Sequence, residues 1–408
     1  MRVPIYFSIL AAGGLLLIFT YTRRLGFYER DPEAFFSAPF PALIDPEATD
    51  PRSFLVPLQT KGRFIVDRNE DRVKLASVNW YGGSDELFVP GGLNVRHRSQ
   101  IAALIRHLGF NSVRLPYSDE MVMDNPLIPA ELLLANEDLV GMRALDVFIA
   151  AVDALTEAGI AVIINNHITH ASWCCGANLC DTAWYNNHLG AFCRVRQTED
   201  QWIENWELMM SSFVDNLLVI GADLRNEPRG LWGTMPWSKW AKAAERAGNR
   251  LLALRADWLI FVEGVSSSND LSGAKDRPIV LDFDHRVVYS AHVYSWSGWG
   301  SYEGMYARRS FASFSKSMVE NWAYLLEQDI APVWVGEFGG PHLPNKGDLH
   351  YWDNLVKFLK MVDADFGYWA INPRKPANDE YESYGLVGDD WETPILDYRL
   401  RDMIELGS

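Results

Sequence analysis

The chain has 408 residues, a formal charge of −16 at pH 7, 48% hydrophobic residues and 22% charged ones. That composition excludes wholesale disorder and leaves room for a sizeable core. A net negative charge repels phosphate backbones, so nucleic acid is not the expected partner.

Residues 3–21 form an uncharged, mostly apolar run, with Arg2 before it and Arg23 and Arg24 after it. The run is long enough to span a bilayer. Its end, Phe19-Thr20-Tyr21-Thr22, lacks a small-x-small cleavage pattern. An uncleaved signal anchor over residues 1–25 is therefore preferred to a cleaved signal peptide, and a buried soluble helix ranks last. Arginines on both flanks leave the orientation open. Residues 26–60 hold Pro32, Pro39, Pro41, Pro46, Pro51 and Pro57 and read as a stalk or wrapping segment. The main domain is expected over 61–408.

Within that domain, 64–67 and 72–75 read as a short β-hairpin. Strand-like and helix-like stretches then alternate. A strand at 74–79 precedes a helix at 99–108, and a strand at 111–115 precedes a helix at 144–158. The unbroken apolar run at 160–165 suits a strand buried on both faces. A helix at 201–218 leads to a strand at 219–226, and a helix at 237–255 to a strand at 258–263. Strands at 287–292, 332–337 and 366–371 are separated by helices at 311–327 and 349–363, and a helix at 395–405 ends the pattern. Strict alternation predicts a parallel sheet with right-handed crossovers. Eight strands predict closure into a (β/α)8 TIM barrel with long loops at its C-terminal face. The doubly wound alternative wants a glycine-rich turn after its first strand; Asn79-Trp80-Tyr81-Gly82-Gly83 is not one.

The four cysteines, Cys174, Cys175, Cys180 and Cys193, lie in one short segment. An even local cluster reads as two disulfides stapling a loop in an oxidising compartment. A ring closed by adjacent cysteines is strained, so Cys174 and Cys175 are each expected to pair with Cys180 or Cys193. Zinc held with His170 and His188 matches no common ligand spacing. Together with the apolar N-terminus, the cysteines predict an extracellular or secretory-pathway protein, in membrane contact through residues 3–21 if they are uncleaved. A monomer is expected.

Active sites of such barrels lie at the C-terminal ends of the strands. The polar residues there are Asn79, Arg114, His167, Asn226, Glu227, Glu263, His292, Tyr294, Glu337 and Trp369. A carboxylate ending an apolar strand is costly unless partnered or functional; each glutamate alone is as well explained by a structural ion pair. As a pair, Glu227 ends the fourth strand in Asp-Leu-Arg-Asn-Glu-Pro and Glu337 ends the seventh in Val-Trp-Val-Gly-Glu-Phe-Gly-Gly. Strands four and seven face one another across a barrel mouth. Carboxyls from there reach about 5 Å apart, the spacing for glycoside hydrolysis with retention. That chemistry needs one carboxyl that still holds its proton near neutral pH and one that is ionised.

Seven short motifs fall in order at strand ends: Ser77-Val78-Asn79-Trp80, Ser112-Val113-Arg114-Leu115-Pro116, Asn166-His167, Asn226-Glu227-Pro228, His292-Val293-Tyr294, Gly336-Glu337-Phe338-Gly339 and Trp369. On these motifs, from about residue 64 to the C-terminus, the chain resembles glycoside hydrolase family 5, the cellulase family. The resemblance implies Glu227 as acid/base and Glu337 as nucleophile. It implies a substrate-binding set of Arg114, His167, Asn226, His292, Tyr294 and Trp369. In that set Asn226 hydrogen-bonds the sugar 2-hydroxyl, Tyr294 and Arg114 position and polarise Glu337, and Trp369 is the platform under the sugar. Asn79, Trp80, Trp173 and Trp296 are further substrate-binding candidates, and Trp184, Trp299 and Trp391 have similar standing.

Where many cellulases of this family place an acidic or aromatic residue before the third-strand histidine, this chain has Asn166. Its cysteine-rich loop at 169–194 is similar to that of a fungal and plant branch, and such a loop would favour short or exo-acting substrates by closing one end of the cleft. The implied substrate is a β-linked glucan or related oligosaccharide, with no metal or cofactor. A transglycosylase or glycosidase acting on cell-wall glucan, mannan or glycolipid is the alternative within enzymes. A non-catalytic carbohydrate-binding protein is the alternative from another class.

Overall fold

The computed structural model describes residues 39–43, 54–175, 178–298, 301–375 and 378–407. The run at 3–21, the anchor reading of 1–25, most of the proline-rich segment and Trp299 lie outside the described residues. Among the described residues no helix is long and apolar enough to cross a membrane.

Strands β1 (Gln59–Lys61) and β2 (Phe64–Val66) form an antiparallel hairpin. The expected hairpin was 64–67 with 72–75, and its partner strand is corrected to β1. Gly62, at φ +53°, supplies the left-handed turn between β1 and β2. At the other end of β2, Asp67 Oδ1 accepts from the backbone N–H groups of Asn69 (2.8 Å) and Asp71 (3.1 Å). That side-chain turn leaves a single bridge, Val66 to Arg72, of the expected pairing.

The eight remaining strands are β3 (Ala76–Asn79), β4 (Ser112–Ser118), β5 (Ala161–Ile168), β6 (Val219–Asp223), β7 (Leu259–Glu263), β8 (Val287–His292), β9 (Val333–Phe338) and β10 (Asp365–Tyr368). All neighbours are parallel, and β10 pairs with both β9 and β3, so the barrel is closed. The chain is the TIM barrel that the alternation predicts. Helices lie close to their expected places, with one clear difference. The helix expected at 201–218 runs Glu199–Ser211, started by a capping box between Thr198 and Gln201. It stops early, and Asn216 beyond it turns its side chain to the backbone of Leu218 and to Thr156, the local bonding that competes with helix.

Strand side chains alternate in direction, and the alternation grades the barrel interior from apolar to polar. The floor is a cluster of Leu75, Ala161, Ile163, Ile220, Leu259, Phe261, Val288 and Trp334. Leu58, Ile65 and Val73 pack on the same cluster, so the hairpin plugs the barrel from below. The Trp334 indole needs space that two glycines provide. A Cβ at Gly336 or Gly367 would meet its ring at 2.7 or 2.8 Å. Next come the buried Ser77, Ser112 and Ser290, with Trp334 Nε1 donating to Ser77 at 3.2 Å. The polar residues at the strand ends form the layer above. A second, larger apolar cluster lies between barrel and helices and takes up Trp202, Trp206, Trp240 and Trp352. Each fully buried Val, Leu, Ile, Phe or Met side chain there contributes about 1.5–3 kcal/mol.

Candidate active site

At the C-terminal mouth the strand ends open into a cleft of about 1340 Å³. Its base is organised by Arg114 on β4, which is wholly buried. A guanidinium has five N–H donors, and here protein groups take all of them. Nε donates to Asp223 (2.7 Å), Nη1 to Asn79 (2.9 Å) and Glu337 (2.5 Å), and Nη2 to Asn226 (2.8 Å) and Glu263 (3.0 Å). Burial opposes the charge, but Asp223, Glu337 and Glu263 outweigh it and hold Arg114 firmly protonated.

Glu337, at the end of β9, receives Arg114 on Oε1 and the Tyr294 hydroxyl on Oε2 at 2.9 Å. Burial, followed by the charges of Glu337 and Glu227, raises the Tyr294 phenol well above its ordinary value, so it remains a donor. Glu227 follows β6 and is the more open of the two, with 15% of its side chain exposed against 7% for Glu337. Its φ is +48°, a region that side chains rarely occupy. The backbone N–H of Glu227 donates to Glu263 Oε2 at 2.7 Å.

His292 stands between the two carboxylates. Its Nδ1 is 3.2 Å from Glu227 Oε1 and 3.6 Å from Glu337 Oε2, and its Nε2 is 3.6 Å from Glu263. Burial works against the imidazolium, yet Glu337, Glu263 and the hydrogen bond with Glu227 push its pKa up to about 9. The ring is therefore cationic at neutral pH. Ligand atoms of Glu227, His292 and Glu337 all lie within 4.8 Å of one another. His167 is the opposite case: burial, then Arg114, lowers its pKa well below the ordinary value. Its Nδ1 is 2.8 Å from Asn165 Oδ1, and Asn165 Nδ2 donates to Asp223 at 3.0 Å. That chain assigns the proton to Nδ1 and leaves Nε2 as an acceptor.

Aromatic residues surround the mouth. Trp369, after β10, is parallel to Tyr81 (centroids 4.9 Å apart) and to His167 (5.4 Å). Trp173 stands edge-on to Tyr81 at 5.4 Å and is 43% exposed. Trp296 stacks on Tyr294 at 4.4 Å and is 50% exposed. All three tryptophans line the cleft, as do His167, Asn226, Glu227, Tyr294 and Glu337.

Several expectations are corrected. Trp80 is fully buried in the core, its Nε1 donating to Gly91 O at 2.9 Å, so it offers no face to substrate. Asn79 is buried with its amide spent on Arg114, Gly336 O and Tyr368 O. Arg114 has no donor left for a sugar, so it acts on Glu337 and Asn226 rather than on substrate. Trp184 and Trp391 are buried core residues. The cysteine pairing also differs. Cys180 bonds Cys193, their Cα atoms 5.6 Å apart, and Cys174 bonds Cys175. With Cys180 and Cys193 already joined, the adjacent pair has only itself.

Other residues carry weight that sequence reasoning did not assign. Glu263 was visible as a strand-end carboxylate but had no role. Asp223 is three positions short of the end of the strand expected at 219–226, and its function depends on a partner 109 residues earlier. Asp85, buried at the cleft with Ser84 as its hydrogen-bond partner, carried no strand-end signal. A buried Arg225, bonded to Asp181 at 2.5 Å and to Asn166 at 3.0 Å, fixes the base of the cysteine-rich loop; it was legible only as part of the Asn226-Glu227 motif.

The family profile for Cellulase (glycosyl hydrolase family 5) matches residues 67–375. An endoglucanase of Paenibacillus polymyxa is 31% identical over 366 residues, spanning 85% of this chain and 86% of that protein. The major extracellular endoglucanase of Xanthomonas campestris pv. campestris is 28% identical, over 81% of this chain and 67% of its own length. A Pyrococcus horikoshii endocellulase solved as a variant in complex with cellotetraose superposes with a TM-score of 0.71 at 25% identity, covering 87% of this chain and 99% of that one. Fold, strand-end geometry and these likenesses agree: the chain belongs to glycoside hydrolase family 5, the cellulase family of retaining β-glycoside hydrolases, and is an enzyme of O-glycosyl bonds.

Proposed function

We propose that the enzyme cleaves β-linked glucan or its oligosaccharides by double displacement, with Glu337 as nucleophile and Glu227 as acid/base. The observation that carries this reading is that a carboxylate oxygen of Glu227 and one of Glu337 lie within 4.8 Å of each other. That separation suits direct attack on the sugar and is too short for the intervening water that inversion needs. Two donors, Arg114 and Tyr294, orient the Glu337 side chain. Among the described residues His292 is the one such donor to the Glu227 side chain, which is the more open to the leaving group.

In the first step Glu337 attacks the anomeric carbon as Glu227 gives its proton to the departing glycosidic oxygen, forming a glycosyl ester. In the second, Glu227 takes a proton from water, whose oxygen displaces Glu337 and restores the original anomeric configuration. Asn226 donates to the 2-hydroxyl, and His167 Nε2 accepts from another sugar hydroxyl. Trp369 carries the sugar in the cleavage subsite, and Trp173 and Trp296 extend the binding surface. The glucan assignment draws on relatives named as endoglucanases and on the cellotetraose bound by the structural neighbour. An extracellular or secretory-pathway location draws on the apolar run at 3–21, the Cys180–Cys193 disulfide and the relative described as extracellular.

The test incubates the full chain with aryl β-glycosides and with β-glucan and β-mannan oligosaccharides, beside Glu227→Ala and Glu337→Ala. Retention predicts that azide rescues Glu337→Ala to give an α-glycosyl azide and Glu227→Ala to give a β-glycosyl azide. Turnover that survives Glu337→Ala overturns the nucleophile assignment. Folded protein that acts on no sugar overturns the substrate reading.

A further inference from the structure

The Cys174–Cys175 disulfide lines the substrate cleft. Its sulfurs are 3.3 and 3.2 Å from Asn226 Nδ2, and they lie within 4.8 Å of a carboxylate oxygen of Glu227. The other end of the Asn226 amide is already committed, because Oδ1 accepts from the buried Arg114 at 2.8 Å. With the acceptor end anchored in the barrel, the donor end must face the cleft, and there it meets the two sulfurs.

The loop that carries the disulfide is itself fixed on both sides. Trp173, the preceding residue, packs edge-on against Tyr81 and Trp369. Beyond it, Cys180 is bonded to Cys193, and Asp181 accepts from the Thr169 backbone and pairs with Arg225. Two independent features therefore converge on one point: a loop anchored at either end, and an amide nitrogen that rests against that loop's sulfurs.

We propose that the Cys174–Cys175 disulfide is a positioning element for the glycosidase reaction, bracing the Asn226 amide so that its second N–H points at the 2-hydroxyl of the sugar being cleaved. This rests on the function proposed above. A disulfide suits the task for a chemical reason. Its sulfurs are bulky, weak acceptors with no hydrogen to donate, so they limit rotation of the amide without competing for the sugar hydroxyl. Two hydroxyls or two thiols in the same place would rotate, donate and compete.

The experiment uses the full chain with an aryl β-cellobioside and with its analogue lacking the 2-hydroxyl on the glucose that carries the aryl group. Wild type, Asn226→Ala and the double variant Cys174→Ser/Cys175→Ser are compared. In the cysteine variant kcat on the hydroxylated substrate should fall about tenfold or more, with KM little changed. Its turnover of the 2-deoxy substrate should stay within about twofold of wild type, and adding Asn226→Ala should cost little more. An equal loss on both substrates, or no loss on either, overturns the proposal, because damage to the loop alone does not discriminate between the two substrates. Should the double variant fail to fold, the same two substrates are compared before and after a water-soluble phosphine converts the pair to two thiols, water supplying the oxygen of the phosphine oxide. A Cys180→Ser/Cys193→Ser background confines that reduction to the cleft, and the same outcomes apply. Asn226→Ala that loses equally on both substrates overturns the 2-hydroxyl reading and the inference with it. A wild-type chain that turns over neither substrate overturns the glycosidase reading itself.

Discussion

Glu263 accepts the backbone N–H of Glu227 at 2.7 Å, so a buried side chain of one strand end fixes the main chain at another. Glu227 is in the left-handed region of backbone space at φ +48°, and such a conformation persists only where surroundings over-determine it. The same carboxylate receives Arg114 and the Ser268 hydroxyl and faces His292. Burial, then Asp223, pushes its pKa up to about 8. One side chain thus links the partner of the nucleophile to the backbone of the acid/base.

From that link, Glu263→Ala should impair Glu227 more than Glu337. Misplacing a reacting group by about 1 Å costs roughly a hundredfold, and the loss should depend on the leaving group. A dinitrophenolate departs without a proton, whereas an alcohol needs the acid. Initial rates on a dinitrophenyl β-cellobioside and on a cello-oligosaccharide measure this. Equal losses on both would show that Glu263 supports the whole site rather than Glu227.

Tyr294→Phe keeps the ring that stacks on Trp296 and removes only the hydroxyl that donates to Glu337 at 2.9 Å. A hydrogen bond to a charged group is worth about 1.5–3 kcal/mol, which is roughly tenfold to a hundredfold in rate. The loss should appear in kcat with KM little changed, since Glu337 acts on the anomeric carbon. Steady-state kinetics on cellotetraose decide it. A rise in KM alone would make Tyr294 a binding residue only.

The barrel was legible because each strand is a short apolar run ending in a polar residue, and Ile163 or Leu259 cannot be placed anywhere but inside. Glu227 and Glu337 were legible because both end such runs. The environment of Arg114 was not, since its partners are up to 223 residues away and only a folded barrel shows that all five donors are taken. The tryptophans failed for another reason. Trp80, Trp184 and Trp391 are core residues while Trp173 and Trp296 line the cleft, and neighbouring sequence does not separate the two uses. The cysteines were read from strain in the adjacent ring, without knowing that Cys180 and Cys193 already meet.

Asp85 carries a pH prediction. It is 4% exposed, and burial, then the charge of Glu86, pushes its carboxyl up to about 7. An unfolded aspartate gives up its proton near about 3.9. Between those values the folded state binds more protons than the unfolded one, so stability falls as pH rises through the window and stays reduced above it. Asp85→Asn keeps the shape with no charge to bury. Its melting temperature should match wild type near pH 4, exceed it increasingly up to about pH 7 and hold a constant lead beyond. Thermal melts across that range test the point, and a lead that does not vary with pH would show that ionisation of Asp85 costs the fold nothing.

Trp173 and Trp296 are both exposed in the cleft, yet their neighbours predict different defects. Trp173 packs beside Trp369 and Tyr81, with Lys375 Nζ 4.5 Å above its ring. Trp296 backs Tyr294, whose hydroxyl holds Glu337. Losing an aromatic face costs about 0.5–1.5 kcal/mol, up to about tenfold in affinity. Trp173→Ala should therefore raise KM for oligosaccharides, with a smaller loss of kcat through the loop that carries Cys174–Cys175, and the rise in KM should be absent on an aryl β-glucoside too short to reach it. Trp296→Ala should lower kcat on every substrate, the aryl β-glucoside included, because Tyr294 loses its support. Kinetics of both variants on an aryl β-glucoside, an aryl β-cellobioside and cellotetraose separate the two. The same defect in both variants across all three substrates would mean that the two rings serve one common surface, and that the stack of Trp296 on Tyr294 does not reach the nucleophile.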